Sequence, residues 1–159
     1  MSWRPSTYRC DIEPQWIDYN GHLRDAYYTL VFSQATDALM DEVGLDSGYR
    51  ARTSCTLYTL EMHAHYLKEV KSTDSISVHA RAIGIDAKRI HLALELRCAR
   101  LEEPAALGEF MLLHVQQAPE PRSAVFPPEI QHRLDGWLAL DAQTPLPTLG
   151  SRAMTLPRR

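Results

Sequence analysis

Scarcity narrows this chain before any motif does. It has only three cysteines in 159 residues, Cys10, Cys55 and Cys98, odd in number, widely separated and in no C-x-x-C pair. Neither a disulfide-stapled scaffold nor a thiolate metal site is expected from them; reduced packing thiols are. No apolar run approaches membrane-spanning length, and Met1-Ser2-Trp3-Arg4-Pro5-Ser6 lacks the apolar stretch and small-residue cleavage site of a secretory signal. A cytoplasmic protein without membrane contact is the expectation. A basic excess is missing too: the formal net charge is -3, which argues against a general nucleic-acid binder that must collect phosphates. There are no internal repeats, and no low-complexity run in the body of the chain.

What is present is enough for one core. Apolar residues make up 45% and charged residues 23% of the chain, so it should fold, as a single domain over 1–140 with an extended tail over 141–159. Tyr8 to Glu13 has the character of a short strand closed by Pro14. From Leu23, the positions Leu23, Ala26, Tyr27, Leu30, Val31, Ala35, Ala38, Leu39 and Val43 recur three and four apart, which predicts one long helix ended by Gly44. After a loop over Leu45 to Arg52 the period changes to two.

In Cys55 to Leu67, Tyr58, Leu60, Met62, Ala64 and Tyr66 fall on one strand face and Thr59, Glu61, His63 and His65 on the other. Ile76 to Ala82 and Ile90 to Ala99 alternate likewise, around turn residues Gly84 to Ala87. Leu107 to Gln116 is apolar on nearly every residue in its middle, as a strand covered on both faces would be, in one chain or in a dimer. Pro127 and Pro128, followed by Ile130, Leu134, Trp137 and Leu138, predict a closing helix. The class is therefore α+β: an antiparallel sheet wrapped around one long helix. Such a sheet leaves a second face and free edges, so a homodimer or larger homo-oligomer is expected, with sites where subunits meet.

The chemistry is concentrated in Trp16-Ile17-Asp18-Tyr19-Asn20-Gly21-His22-Leu23-Arg24-Asp25-Ala26-Tyr27-Tyr28. An acid, an amide, a glycine and an imidazole fall within five residues, directly before a helix whose first N-H groups lack internal partners and favour negative charge. A carboxylate there can serve as base or nucleophile beside an amide that polarises a carbonyl, although an Asp before a helix is in general a cap.

This run, the aromatic helix start with Tyr27 and Tyr28, and the meander behind it resemble the hot-dog-fold acyl-CoA thioesterases of the 4-hydroxybenzoyl-CoA thioesterase type, over about Tyr8 to Gln116. Within that superfamily, Asp18 to Leu23, Asp86-Ala-Lys-Arg-Ile-His91 and Glu109-Phe-Met-Leu-Leu-His114 look most like the betainyl-CoA thioesterases of carnitine breakdown. The resemblance implies a hot-dog fold and hydrolysis of an acyl-CoA, with no metal and no cofactor beyond the CoA of the substrate. It implies Asp18 as the catalytic carboxylate, with Asn20 and His22 orienting it or water. Gly21 would let the loop turn, and N-H groups from about His22 to Asp25 would polarise the thioester carbonyl. Lys88 and Arg89 are the candidates for the CoA phosphates, ahead of Arg81 and Arg97. A betainyl trimethylammonium, which has no N-H to donate, would need aromatic faces, with Trp16, Tyr19, Tyr27, Tyr28 and Tyr66 as candidates and Asp25 as countercharge.

Three other readings stand beside it. Glu61-x-His63-x-His65-x-x-x-Glu69 has the spacing of a cupin metal cluster, but without the glycines around that cluster or the second ligand motif, and a long amphipathic helix is foreign to a jelly roll. A hot-dog hydratase would need Asp-x-Asn-Pro-x-His, one residue longer than Asp18 to His22. The third is an acyl-CoA-binding hot-dog protein without catalysis.

Overall fold

A computed structural model describes residues 3–148 of the chain. The three-and-four periodicity after the site loop becomes α1, Asp25–Val43, which leaves its last turn through Gly44. It starts two residues later than the apolar pattern does, because Leu23 is extended and donates its N-H to the Val70 carbonyl at 2.8 Å. The buried stripe is Tyr28, Val31, Phe32, Ala35, Thr36, Leu39, Met40 and Val43, turned from the predicted one. Ala26 and Leu30 are exposed. Alanines weigh little in the choice of face, whereas the Tyr28 and Phe32 rings carry large apolar areas and settle which side is enclosed.

The strands are β1 (Tyr8–Cys10), β2 (Cys55–Tyr66), β3 (Ile76–Ile85), β4 (Arg89–Cys98), β5 (Ala106–Gln116) and β6 (Arg122–Ser123). They form one antiparallel sheet in the order β1-β3-β4-β5-β2, with β6 also paired to β5. The β3-β4-β5 meander is as expected, and β2 returns to lie outside β5. Fully buried Ile90, Leu92, Leu94 and Leu96 of β4 and Leu112 of β5 face α1. Gly108 lies beneath two rings: a Cβ there would lie 2.6 Å from the Phe110 ring of β5 and 3.1 Å from the Phe32 ring of α1, so a side chain at this point of β5 would have to displace them.

Three local expectations change. The loop after α1 holds a short helix, α2 (Ser47–Thr53), because the Asp46 side chain accepts the Tyr49 N-H at 2.7 Å and caps it. The first strand is shorter than its pattern, and a single 3-10 turn over Pro14–Trp16 leads into the site loop. Strand β2 does not keep one phase. Leu60 is a bulge, since Thr59 pairs with Leu112 and Glu61 with Met111. Met62, Ala64 and Tyr66 therefore share the α1 side with Leu57 and Thr59, while Tyr58 belongs to the outer face with Glu61, His63 and His65.

The closing helix, α3 (Pro128–Asp141), buries Ile130, Leu134 and Trp137. It ends on Asp141, which is 1% exposed and joins the fold instead of beginning a tail. Its carboxylate accepts the Ala82 N-H at 2.8 Å and an Arg4 N-H at 2.9 Å, covering the part of the β3 edge that β1 does not reach. Most of the expected tail, 149–159, lies outside the described residues.

Candidate active site

The loop before α1 is a tight turn organised by Asp18. Its backbone N-H donates to the His22 carbonyl at 2.8 Å, and the Gly21 N-H donates back to the Asp18 carbonyl at 3.1 Å. The Asp18 carboxylate accepts the N-H groups of Asn20 at 2.8 Å and His22 at 3.1 Å through one oxygen. The bond from the His22 amide is the main reason this carboxyl is held below its ordinary range, so it is ionised at neutral pH. Gly21 sits at φ 79°, a left-handed conformation that closes the turn. The turn is tied to the irregular segment between β2 and β3: His22 forms an isolated bridge with Lys71, and the Leu23 N-H bonds to the Val70 carbonyl.

A cavity of about 580 Å³ opens against this junction, lined by His22, Asp25, Tyr28, Tyr66 and Glu69, with Lys68, Lys71 and Arg100 among its other walls. Tyr28 and Tyr66 meet edge to face, with centroids 5.1 Å apart. The Tyr28 hydroxyl accepts the Val70 N-H at 3.3 Å, and the Tyr66 hydroxyl donates to the Asp25 carbonyl at 3.3 Å. Burial pushes both phenols above their ordinary range. His22 Nε2 lies 3.2 Å from Glu69 Oε2. Arg100 clasps Asp74 through two nitrogens and donates to the Glu69 carbonyl at 2.6 Å, which fixes the segment carrying Glu69.

Of the amides from His22 to Asp25, three are already committed: His22 to the Asp18 side chain, Leu23 to Val70 and Arg24 to the Trp16 carbonyl. Among the described residues the Asp25 N-H has no acceptor. Asp25 turns its own carboxylate onto the next amide, Ala26 N-H, at 2.9 Å. One of its oxygens is thereby held by the helix start, which favours negative charge.

A model of the thioesterase-like superfamily matches residues 12–134. The chain belongs to that superfamily. It is similar to the betainyl-CoA thioesterase of Pseudomonas aeruginosa, 43% identical over 99% of this chain and 98% of that one. It is also similar to the L-carnitine dehydrogenase/betainyl-CoA thioesterase of Agrobacterium fabrum, 41% identical over 83% of this chain and 26% of that longer protein. Among solved structures, a Pseudomonas putida KT2440 protein proposed to be a thioesterase is 38% identical over 99% of this chain and all of that one, at TM-score 0.83. A Staphylococcus aureus protein in complex with CoA is 27% identical over 99% of this chain and 98% of that one, at TM-score 0.85.

Within this thioesterase-superfamily fold the residues singled out in the sequence separate into groups. His22, Asp25, Tyr28 and Tyr66 line the cavity. Asp18, Asn20 and Gly21 form the turn behind it and do not line it. Trp16 is buried and stacks on Tyr27 at 5.6 Å, bracing the loop against α1. Tyr19 is 95% exposed.

Lys88 and Arg89 stand at the start of β4, roughly 30 Å of strand away from the Arg100 end. There Lys88 reaches the Ser123 hydroxyl, and Arg89 is paired to Asp86 at 2.6 Å. Arg81 is bound to Asp141 and Thr144, and Arg97 to Glu95. The cavity's own cations, Lys68, Lys71 and Arg100, were missed because they come from the irregular segments after β2 and β4, which show no period. The metal-like cluster does not assemble: Glu61 and His63 pair on the outer sheet face at 2.7 Å, while Glu69 lies at the cavity.

Proposed function

We propose that this chain hydrolyses betainyl-CoA to betaine and free CoA. The observation that carries this reading is one cavity placing two tyrosine rings and two carboxylates beside an uncommitted helix N-terminal amide. A trimethylammonium group is bound by aromatic faces and compensating negative charge, because it can donate no N-H hydrogen bond. Tyr28 and Tyr66 supply the faces, and Asp25 and Glu69 the charge. The Asp25 N-H is the donor for the thioester carbonyl, whose oxygen gains charge as water adds. Lys68 and Lys71, which have no carboxylate within 4 Å among the described residues, receive the CoA phosphates.

Water attacks the carbonyl carbon and gives up a proton to a base in the 18–22 turn. The tetrahedral intermediate then collapses with loss of the CoA thiolate, which takes up a proton; the acid leaves as its carboxylate. The similarity to a betainyl-CoA thioesterase across almost the whole of both chains supports the same substrate. We place the reaction in the cytoplasm, in a homo-oligomer. No described helix is long and apolar enough to cross a membrane.

Thiol release from betainyl-, acetyl-, butyryl- and benzoyl-CoA tests the reading. The expected result is preferential turnover of betainyl-CoA, weakened mainly in KM by Tyr66→Leu. Equal rates on all four would remove the cation cage, and no release from any would remove thioester hydrolysis.

A further inference from the structure

We infer that Asp74 is a positioning residue for recognition of the substrate's cation: from outside the cavity it neutralises Arg100 and holds Glu69 at the wall. The inference rests on the betainyl-CoA reading above. Asp74 does not line the cavity, and its side chain is 6% exposed. Its carboxylate accepts Nε of Arg100 at 2.9 Å, Nη2 of the same guanidinium at 2.8 Å and the Lys71 backbone N-H at 2.8 Å. These bonds, the Arg100 clasp first, hold the carboxyl below its ordinary range, so it is ionised at neutral pH. Beside it, burial pushes the Cys98 thiol up to about 11, and that neighbour stays neutral.

The ion pair acts on the cavity in two ways. Carboxylates Asp25 and Glu69 line it against the cations Lys68, Lys71 and Arg100, two negative charges facing three positive ones. That excess opposes a trimethylammonium group. A guanidinium clasped by a carboxylate through two nitrogens projects little net charge, so Asp74 leaves the wall balanced and the two lysines free for phosphates. The second effect is placement. Nη2 of Arg100 also donates to the Glu69 carbonyl at 2.6 Å, while Lys71, which Asp74 holds, bridges to His22. The Glu69 side chain is 68% exposed, with His22 Nε2 at 3.2 Å. A side chain so exposed stays at the wall only if the backbone beneath it is fixed.

Comparing betainyl-CoA with tert-butylacetyl-CoA, which has the same shape with carbon in place of the quaternary nitrogen, isolates recognition of the charge. In Asp74→Asn the ratio of the two kcat/KM values should fall about fivefold, mainly through a higher KM for betainyl-CoA. Asp74→Glu, which keeps the charge, should recover part of the loss. A residue that only supports the fold would slow both substrates alike and leave the ratio where it was. An unchanged ratio in Asp74→Asn with a native circular-dichroism spectrum, or an equal loss in Asp74→Glu, overturns the inference and leaves the betainyl-CoA reading in place. Should Asp74→Asn not fold, Arg100→Lys, which keeps a cation but cannot clasp through two nitrogens, must lower the ratio; a wild-type ratio there also overturns the inference. A wild-type protein that treats the two thioesters alike would instead remove the cation cage, and one that releases thiol from no acyl-CoA would remove thioester hydrolysis.

Discussion

His114 shows how a single enclosed side chain sets the pH response of the fold. It is 1% exposed, with Nε2 2.9 Å from the Tyr49 hydroxyl, Nδ1 2.9 Å from the Ala124 carbonyl and its ring stacked on Phe126. Burial pushes its pKa below that of a free imidazole. The unfolded chain, with an ordinary value of about 6.5, therefore binds a proton more readily than the native one. Stability is full above about pH 6.5 and is lost as pH falls through the lower folded value. His79 shifts the same way, through burial and the nearby Arg97, and adds to the slope. Thermal melts from pH 7.5 to 5 should show a falling midpoint, and His114→Gln should start lower but flatten much of the decline. An undiminished slope in that variant would assign the effect elsewhere.

At the scale of elements, Gly108 is a place where sheet and helix leave no room for a side chain. Gly108→Ala puts a methyl group against Phe110 and Phe32, which already meet edge to face at 6.0 Å. We expect a loss of roughly 1–3 kcal/mol in chemical denaturation, typical of overpacking a filled core. Unchanged stability would mean that α1 can lift from β5 freely. That contact was hidden in the sequence, where Gly108 is one small residue in an apolar run. Elements with a steady period were legible: α1, the β3-β4-β5 meander and α3 follow from where Leu, Ile and Val recur. Elements governed by one residue were not. The Leu60 bulge reverses the facing of Tyr58, and a reading by alternation has no means of registering an inserted residue. In the site, His22, Asp25, Tyr28 and Tyr66 were legible because they flank one helix start or close one strand. Glu69, Lys71 and Arg100 reach the cavity through nonlocal pairings that no local pattern encodes.

For the whole molecule, the sheet's two ends are unequal. At one end β1 is three residues long and α3 covers more of the β3 edge through Asp141 and Ala82. At the other, the twelve residues of β2 pair with β5 alone, and Tyr58, Leu60 and Met62 are 38%, 55% and 38% exposed. A long apolar edge with unpaired backbone groups is what a second copy can cover, pairing β2 with β2 about a twofold axis into one continuous sheet. The last residue of β2 is Tyr66, so this junction would brace the cavity wall carrying the rings proposed to hold the cation. Sedimentation should therefore give a species of twice the 18.1 kDa chain mass. Leu60→Lys with Met62→Lys should yield monomers whose KM for betainyl-CoA rises, because charges on both edges repel and Tyr66 loses its support. A wild-type chain that sediments as a monomer at micromolar concentration with full activity would show that the edge stays bare and the cavity needs no second copy.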